Sequence, residues 1–276
     1  SVEDDHPSVS PDGNMIAFAS GAPSQIWVIK PEGTGLRQLA SGTEPSISDE
    51  IGGGLYRIAF QSWDGNDWEI YVINTDGTGL RRLTWNTVDD LHPSISASGS
   101  KVAWQCGSGN AAEIYVISVD GTGLRRLTYN SIYDGYPSMD GGGLKIAFES
   151  GDPATDNTEI YVITSDGGSL RRLTYNSVND RYPRISGTGS KIVFQIQSGI
   201  GGTHEIIVIN SDGTSLRRLT FNTMDDLHPD ISYDGVMIVF SHKINGTFEV
   251  YSIRSDGSGL TRLTNNSVDD DYPSVT

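Results

Sequence analysis

The sequence predicts an all-β fold, a six-bladed β-propeller of four-stranded antiparallel blades. Three observations predict it. The motif Asp-Gly-Thr-Gly-Leu and its variants recur, placing Leu36, Leu80, Leu124, Leu170, Leu216 and Leu260 at spacings of 44 to 46 residues. That is the period of a propeller blade. Each unit holds four short segments rich in β-branched or aromatic residues and bounded by Gly, Asp or Ser. No segment carries a helical period.

The unit over 93–128 shows the four strands in order. PSIS (93–96) is small and Ser-rich, as an innermost strand must be where sheets converge on an axis. KVAWQC (101–106) and EIYVIS (113–118) are nearly continuous apolar runs, expected where both faces of a sheet pack on neighbours. LRRLT (124–128) is the outer edge, and this fourth strand carries ten of the chain's fourteen arginines. Charged edges block sheet-to-sheet association, so these arginines read as solvated edge guards. The turn before the outer strand carries Asp-Gly, a strong hairpin signal, at Asp76, Asp120, Asp166, Asp212 and Asp256, with Glu32 in the first unit. The blades are 7–44, 45–92, 93–136, 137–182, 183–228 and 229–272, forming one domain over 1–276 with a spare inner strand at 273–276. The inner-strand prolines number seven, from Pro7 to Pro273. The first and last copies, HPSVS and YPSVT, therefore ask for the same innermost slot. The N-terminal copy should hold it, since a short turn joins it to its own second strand. The C-terminal copy should then lie outside the regular sheet or meet another molecule.

Composition narrows the function. Thirty-five acidic against 19 basic residues leave a formal charge of −16, which argues against nucleic acid and favours cations or basic proteins. The one cysteine, Cys106, rules out an internal disulfide framework and reads as a buried structural thiol. No apolar run approaches a membrane helix and no signal peptide is visible. The chain opens in mid-repeat, which suggests processing or a boundary within a longer array. There is no GxSxG elbow, HExxH, phosphate-binding loop or dinucleotide fingerprint.

The unit DGTGLRRLTxNxxxDxxPSxSxxGxxIAFxS resembles the WD40-like PD40 repeat of TolB-type propellers, and the resemblance covers all six units. It implies a periplasmic or extracellular propeller that holds a protein partner, in TolB the peptidoglycan-associated lipoprotein, at its channel mouth. Where such repeats often carry a tryptophan after the inner-strand proline, this chain has Val9, Ile47, Ile95, Met139, Ile185 and Ile231. The same repeats build the propellers of oligogalacturonate lyases, which implies a histidine-rich metal site as an alternative, and those of prolyl-oligopeptidase-like enzymes.

Function is expected on the face formed by the fourth-to-first and second-to-third strand connections, because those loops vary and are acidic. Three residues before the inner proline stand Asp4, Asp90, Asp134, Asp180, Asp226 and Asp270. Two readings stand: an Asx turn, or a carboxylate ring at the channel mouth for a basic segment or for Ca²⁺, with Asp4, Asp90, Asp134, Asp180 and Asp226 as the metal set. Directly before the proline stand His6, Glu44, His92, Tyr136, Tyr182 and His228, with Tyr272 in the spare copy. These could grip a peptide or sugar, or His6, His92 and His228 could hold a transition metal. Trp63 and Trp68 flank an exposed loop and suit carbohydrate or protein contact. The expected function is a non-catalytic binding propeller that recognises a protein or peptide, a basic one included, at an acidic channel-mouth face and requires no cofactor. The alternatives are a metal-dependent polysaccharide lyase or hydrolase, and a structural repeat of a larger surface protein.

Overall fold

The computed structural model describes residues 4–152, 157–197 and 202–276, the side chains of 4, 5 and 152 excepted. Six four-stranded antiparallel sheets, each of consecutive strands, form six blades. Blade one comprises Asp4–Val9, Ile16–Ser20, Gln25–Ile29 and Arg37–Ser41; blade two comprises Thr43–Ile47, Arg57–Trp63, Trp68–Asn74 and Arg81–Arg82. Blade three is Asp90–Ile95, Lys101–Cys106, Glu113–Ser118 and Arg125–Arg126, and blade four is Tyr133–Met139, Lys145–Asp152, Asn157–Thr164 and Arg171–Arg172. Blade five is Asp180–Ile185, Lys191–Gln197, His204–Asn210 and Arg217–Arg218, and blade six is Asp226–Ile231, Met237–Ile244, Thr247–Arg254 and Thr261–Arg262. The helical content among the described residues is one 3-10 turn, Gly109–Ala111. The expected Asp-Gly turns are present. In blade two the Asp76 carboxylate accepts the Thr78 N–H at 2.9 Å while Gly77 takes φ of 86°, a conformation that needs no Cβ.

The core is five apolar layers between successive blades. Between two and three, Ala59, Ile70, Val72 and Leu83 meet Ile95, Val102, Trp104 and Ile117. The other four repeat the plan, so in blades two to five both faces of the second and third strands are buried, as their unbroken apolar runs require. Polar latches run beside the apolar layers. Lys101 Nζ reaches Gly143 O at 3.0 Å and Ser165 Oγ at 2.8 Å in the next blade. The outer-strand arginines lie on an exposed edge, as their pattern predicts, and they also bridge the blades. The first of each pair donates to a turn carbonyl of the following blade, Arg125 to Asp166 O at 2.6 Å and Arg217 to Asp256 O at 2.8 Å. A guanidinium is long and planar enough to cross between blades while its stem covers the edge.

The inner strands are joined by a further series. The backbone N–H of Ile47, Ile95, Met139 and Ile185 donates to Ser8, Ser46, Ser94 and Ser138 of the preceding blade, at 3.0–3.3 Å. The N-terminal copy of the inner strand pairs with its own second strand in blade one. The C-terminal copy does lie outside the regular sheets, but it does not compete for that place. It continues the series, with Val275 N–H on Asp230 Oδ2 at 3.0 Å and Val9 N–H on Ser274 Oγ at 3.3 Å. The two copies therefore occupy successive inner positions, and the segment stands between blades six and one.

Candidate binding site at the channel mouth

The inner strands surround an axial cavity of about 320 Å³, lined by the residue preceding every inner proline: His6, Glu44, His92, Tyr136, Tyr182, His228 and Tyr272. All seven share one backbone state, φ between 48° and 54°. A residue before proline is normally extended, and residues with a Cβ rarely enter the left-handed region. In each blade the pairing of the inner strand slips across this residue, between Asp5 and Ser8 in blade one and between Leu91 and Ser94 in blade three. Such a bulge re-aims a side chain, here into the channel.

Left-handed residues cost on the order of 1–3 kcal/mol each and persist where their surroundings impose them. In blades three, five and six a buried amide or carboxylate from the second strand of the preceding blade does so. His92 N–H donates to Gln61 Oε1 at 2.8 Å, Tyr182 N–H to Glu149 Oε2 at 2.9 Å, and His228 N–H to Gln195 Oε1 at 3.0 Å. Sequence reasoning missed these residues. Their signal is the polar residue after the second-strand aromatic, in IAFQ, IAFE and IVFQ.

The ring side chains pack on one another around the mouth. His92 stacks on Tyr136 with centroids 4.1 Å apart, Tyr136 meets Tyr182 edge-on at 4.7 Å, and Tyr182 meets His228 at 5.9 Å. His228 stacks on Tyr272 at 3.8 Å, and Tyr272 reaches His6 at 4.9 Å. Glu44 stands between His6 and His92 in chain order, and His92 Nδ1 lies 2.6 Å from Glu44 Oε2. His228 Nδ1 lies 2.7 Å from Asp271 Oδ1. Burial alone would raise both carboxyls, but the bond and charge of His92 hold Glu44 below the usual range, and those of His228 do the same for Asp271. Burial and the neighbouring Tyr182 push the Tyr136 hydroxyl up, so it stays a donor at neutral pH. Behind the ring the polar lining includes Ser8, Ser46, Ser94, Ser138, Arg184, Asp230 and Ser274, between apolar residues such as Ile95 and Met139. The mouth is thus aromatic and imidazole in character, with its few carboxylates set beside cationic or imidazole groups.

The expected ring of aspartates is corrected. Asp90, Asp134, Asp180 and Asp226 are 0% exposed and do not line the channel; the carboxylate of Asp4 lies outside the described side chains. Each buried aspartate fastens the loop that enters its blade. Asn86, Asn130, Asn176 and Asn222, four residues earlier, donate to it at 2.6–2.8 Å. Trp104 Nε1 adds a bond to Asp90 at 2.9 Å, and His242 Nδ1 lies 2.6 Å from Asp226. The loop is held a second time by the third-strand glutamate, as Asn130 N–H bonds Glu113 Oε1 at 3.0 Å and Arg126 Nη2 lies 2.5 Å from the same oxygen. In blade two Gly42 takes the aspartate's place, where a Cβ would meet Phe60 at 2.5 Å. The carboxylates meant for Ca²⁺ or a basic segment are therefore blade-internal stitches. Burial raises Asp180 to about 7, assisted by the nearby Glu159 charge and opposed by the Thr174 bond. Cys106 is half-buried, and burial beside Asp90 pushes its thiol up.

The three ring histidines do not form a ligand set. Among the described residues one group of three metal-capable side chains lies within 4.8 Å: Asp64, Asp67 and Glu69 in blade two. Arg82 already pairs with Asp64 at 2.8 Å and with Glu69. Trp63 and Trp68 meet edge-on at 5.9 Å with Trp63 53% exposed, and neither lines the channel. The loop stretches at 153–156 and 198–201 lie outside the described residues.

Comparison with known proteins agrees with this architecture. Residues 152–276 match the family model described as the TolB beta propeller domain. No curated protein matches the chain. TolB from Acinetobacter baumannii is similar at TM-score 0.68 and 18% identity, over 95% of this chain and 66% of that one, just under two thirds of its length. An oligogalacturonate lyase in complex with manganese gives TM-score 0.71 at 12% identity, over 92% of this chain and 75% of that one. The β-propeller domain of the Trilobed protease from Pyrococcus furiosus, described as having an open velcro topology, gives 0.73 at 11%, over 96% and 84%. Likeness at these identities is likeness of fold. The chain is a six-bladed β-propeller, and within it residues 152–276 match the TolB beta propeller family model.

Proposed function

We propose that the chain is a non-catalytic binding propeller that holds an extended peptide segment of a protein partner at its channel mouth. One observation carries this reading. Seven side chains are turned into the channel by a strained backbone state, and six of them are aromatic or imidazole and packed in sequence. Strain held at one face of a rigid scaffold marks a place where side chains are wanted. Aromatic faces with a polar tip suit an extended peptide, and the serines behind them offer hydroxyls to its backbone. The buried aspartates no longer argue for capture by an acidic field. The metal-dependent lyase reading is disfavoured because His6, His92 and His228 are not gathered within ligand distance. A periplasmic or extracellular setting belongs to the same proposal and rests on the likeness to TolB; no helix among the described residues is long and apolar enough to cross a membrane.

The test is a peptide array probed with the wild-type protein and a Tyr136→Ala/Tyr182→Ala variant. Peptides retained by the wild type should bind the variant about tenfold or more weakly, as for the loss of aromatic anchors in a buried mouth, with melting temperatures close together. Equal retention by both proteins would remove the channel mouth from the proposal.

A further inference from the structure

Five of the junctions between blades are filled alike, and the sixth, between blades six and one, is not. Leu83, Leu127, Leu173 and Leu219, which close the outer part of four junctions, are 5–7% exposed, whereas their counterpart in blade six, Leu263, is 56% exposed. Ile70, Ile114, Ile160 and Ile206 are fully buried, but Val250 at the same place in blade six is half-buried. The opposite wall repeats the contrast. Ile58, Phe60 and Ile73 of blade two are 0–2% exposed, while Ile16, Phe18 and Ile29 of blade one are half-buried. The residues left open are those that every other blade hides against a neighbour.

The inner end of this junction is nevertheless occupied. Residues 273–276 run there in the manner of an inner strand. Tyr272 has the left-handed φ of 52° and stacks in the ring, and Val275 and Ser274 make the inner-strand bonds to both sides. Among the described residues no strand flanks this segment outward.

We propose that the junction is a docking slot one blade wide, and that its occupant is a segment of three antiparallel strands with the chemistry of this repeat, laid outward against residues 273–276. The chemistry required is that of the second to fourth strands of any other blade. One face must bring an Ile-aromatic-Ile set to Leu263 and Val250. The other must bring Ala, Val and Leu to Ile16, Phe18 and Ile29. A whole blade of a second copy does not fit this description, because it carries its own inner strand into a position already held. Blade six has Met237 and Thr261 where blade five has Lys191 and Arg217, so its wall offers apolar packing in place of polar latches.

The experiment extends the chain after Thr276 with a copy of residues 97–128, which follow the matching inner strand in blade three. A control carries the same extension with Ser at the positions copied from Val102, Trp104 and Ile117. The unextended protein should bind an apolar dye through the open walls. The extension should lower dye fluorescence several-fold and slow amide exchange in Ile16–Ser20 and Thr247–Arg254 to the level of the other blades. The control extension should do neither. The proposal is overturned if the extension is clipped off by protease with dye binding and exchange unchanged. It is also overturned if the unextended protein forms dimers that Leu263→Glu abolishes, since a second copy would then be the occupant. Neither readout depends on peptide binding at the channel mouth.

Discussion

Asp226→Ala destabilises the protein by about 3–5 kcal/mol, the usual cost of removing one member of a buried polar pair. The carboxylate is fully buried between Asn222 and His242, so its loss strands both partners and frees the loop that enters blade six. At roughly 2–4 °C per kcal/mol for a chain of this size, the melting temperature falls by on the order of 10 °C. Thermal unfolding measures it. A change below about 1 kcal/mol would mean that Asp226 is hydrated, and the assignment of the aspartates as stitches would fail. Charge reversal at Asp90 likewise damages folding and does not tune association with a basic partner, because the site has no opening to solvent.

Glu149 gives the protein a stability that declines as pH rises. Burial lifts its carboxyl from the ordinary 4.5 to about 7, against the opposing bond from Tyr182 N–H, the Arg181 charge and the Tyr133 hydroxyl. The folded chain therefore holds this proton more tightly than the unfolded chain. The associated stability is complete below about pH 4.5 and is lost as pH rises to about 7. A shift of this size corresponds to about 3 kcal/mol. Glu149→Gln retains an acceptor for the Tyr182 N–H without the charge. It should match the wild type near pH 4.5 and exceed it at pH 8, leaving the slope due to Asp180, also raised to about 7. Urea midpoints at the two pH values decide the matter. Parallel pH profiles for the two proteins would show that Glu149 does not titrate in this range.

The architecture was legible because it repeats. A period of 44 to 46 residues, Asp-Gly turns and runs such as EIYVI leave few alternatives to a propeller. The pre-proline ring was legible for a related reason, since an innermost strand must present something to the axis. The aspartates were not. An Asp three residues before a proline has the same composition whether it faces a lumen or closes a turn, and what decides is the Asn four residues earlier together with the Glu at the start of the third strand. That information lay in the repeat but spans two strands whose pairing the sequence does not display. The outer arginines were legible in part: their exposed position on an edge was correct, while their reach to the next blade depends on side-chain length and blade spacing. The two terminal inner-strand copies seemed to be rivals only because closure after six units was assumed, and pairing alone could reveal that they stand side by side.

The support that Gln61, Glu149 and Gln195 lend to the ring has a consequence for how such a mouth can change. The left-handed state of His92, Tyr182 and His228 is imposed by a neighbour acting on the main chain, so it does not depend on which side chain the position carries. Positions of this kind already hold His, Glu and Tyr within one chain. Recognition at these three sites is therefore decoupled from architecture: they can be rewritten one by one, like type set in a fixed frame, and a new vocabulary of contacts can be tried without renegotiating the fold that presents it.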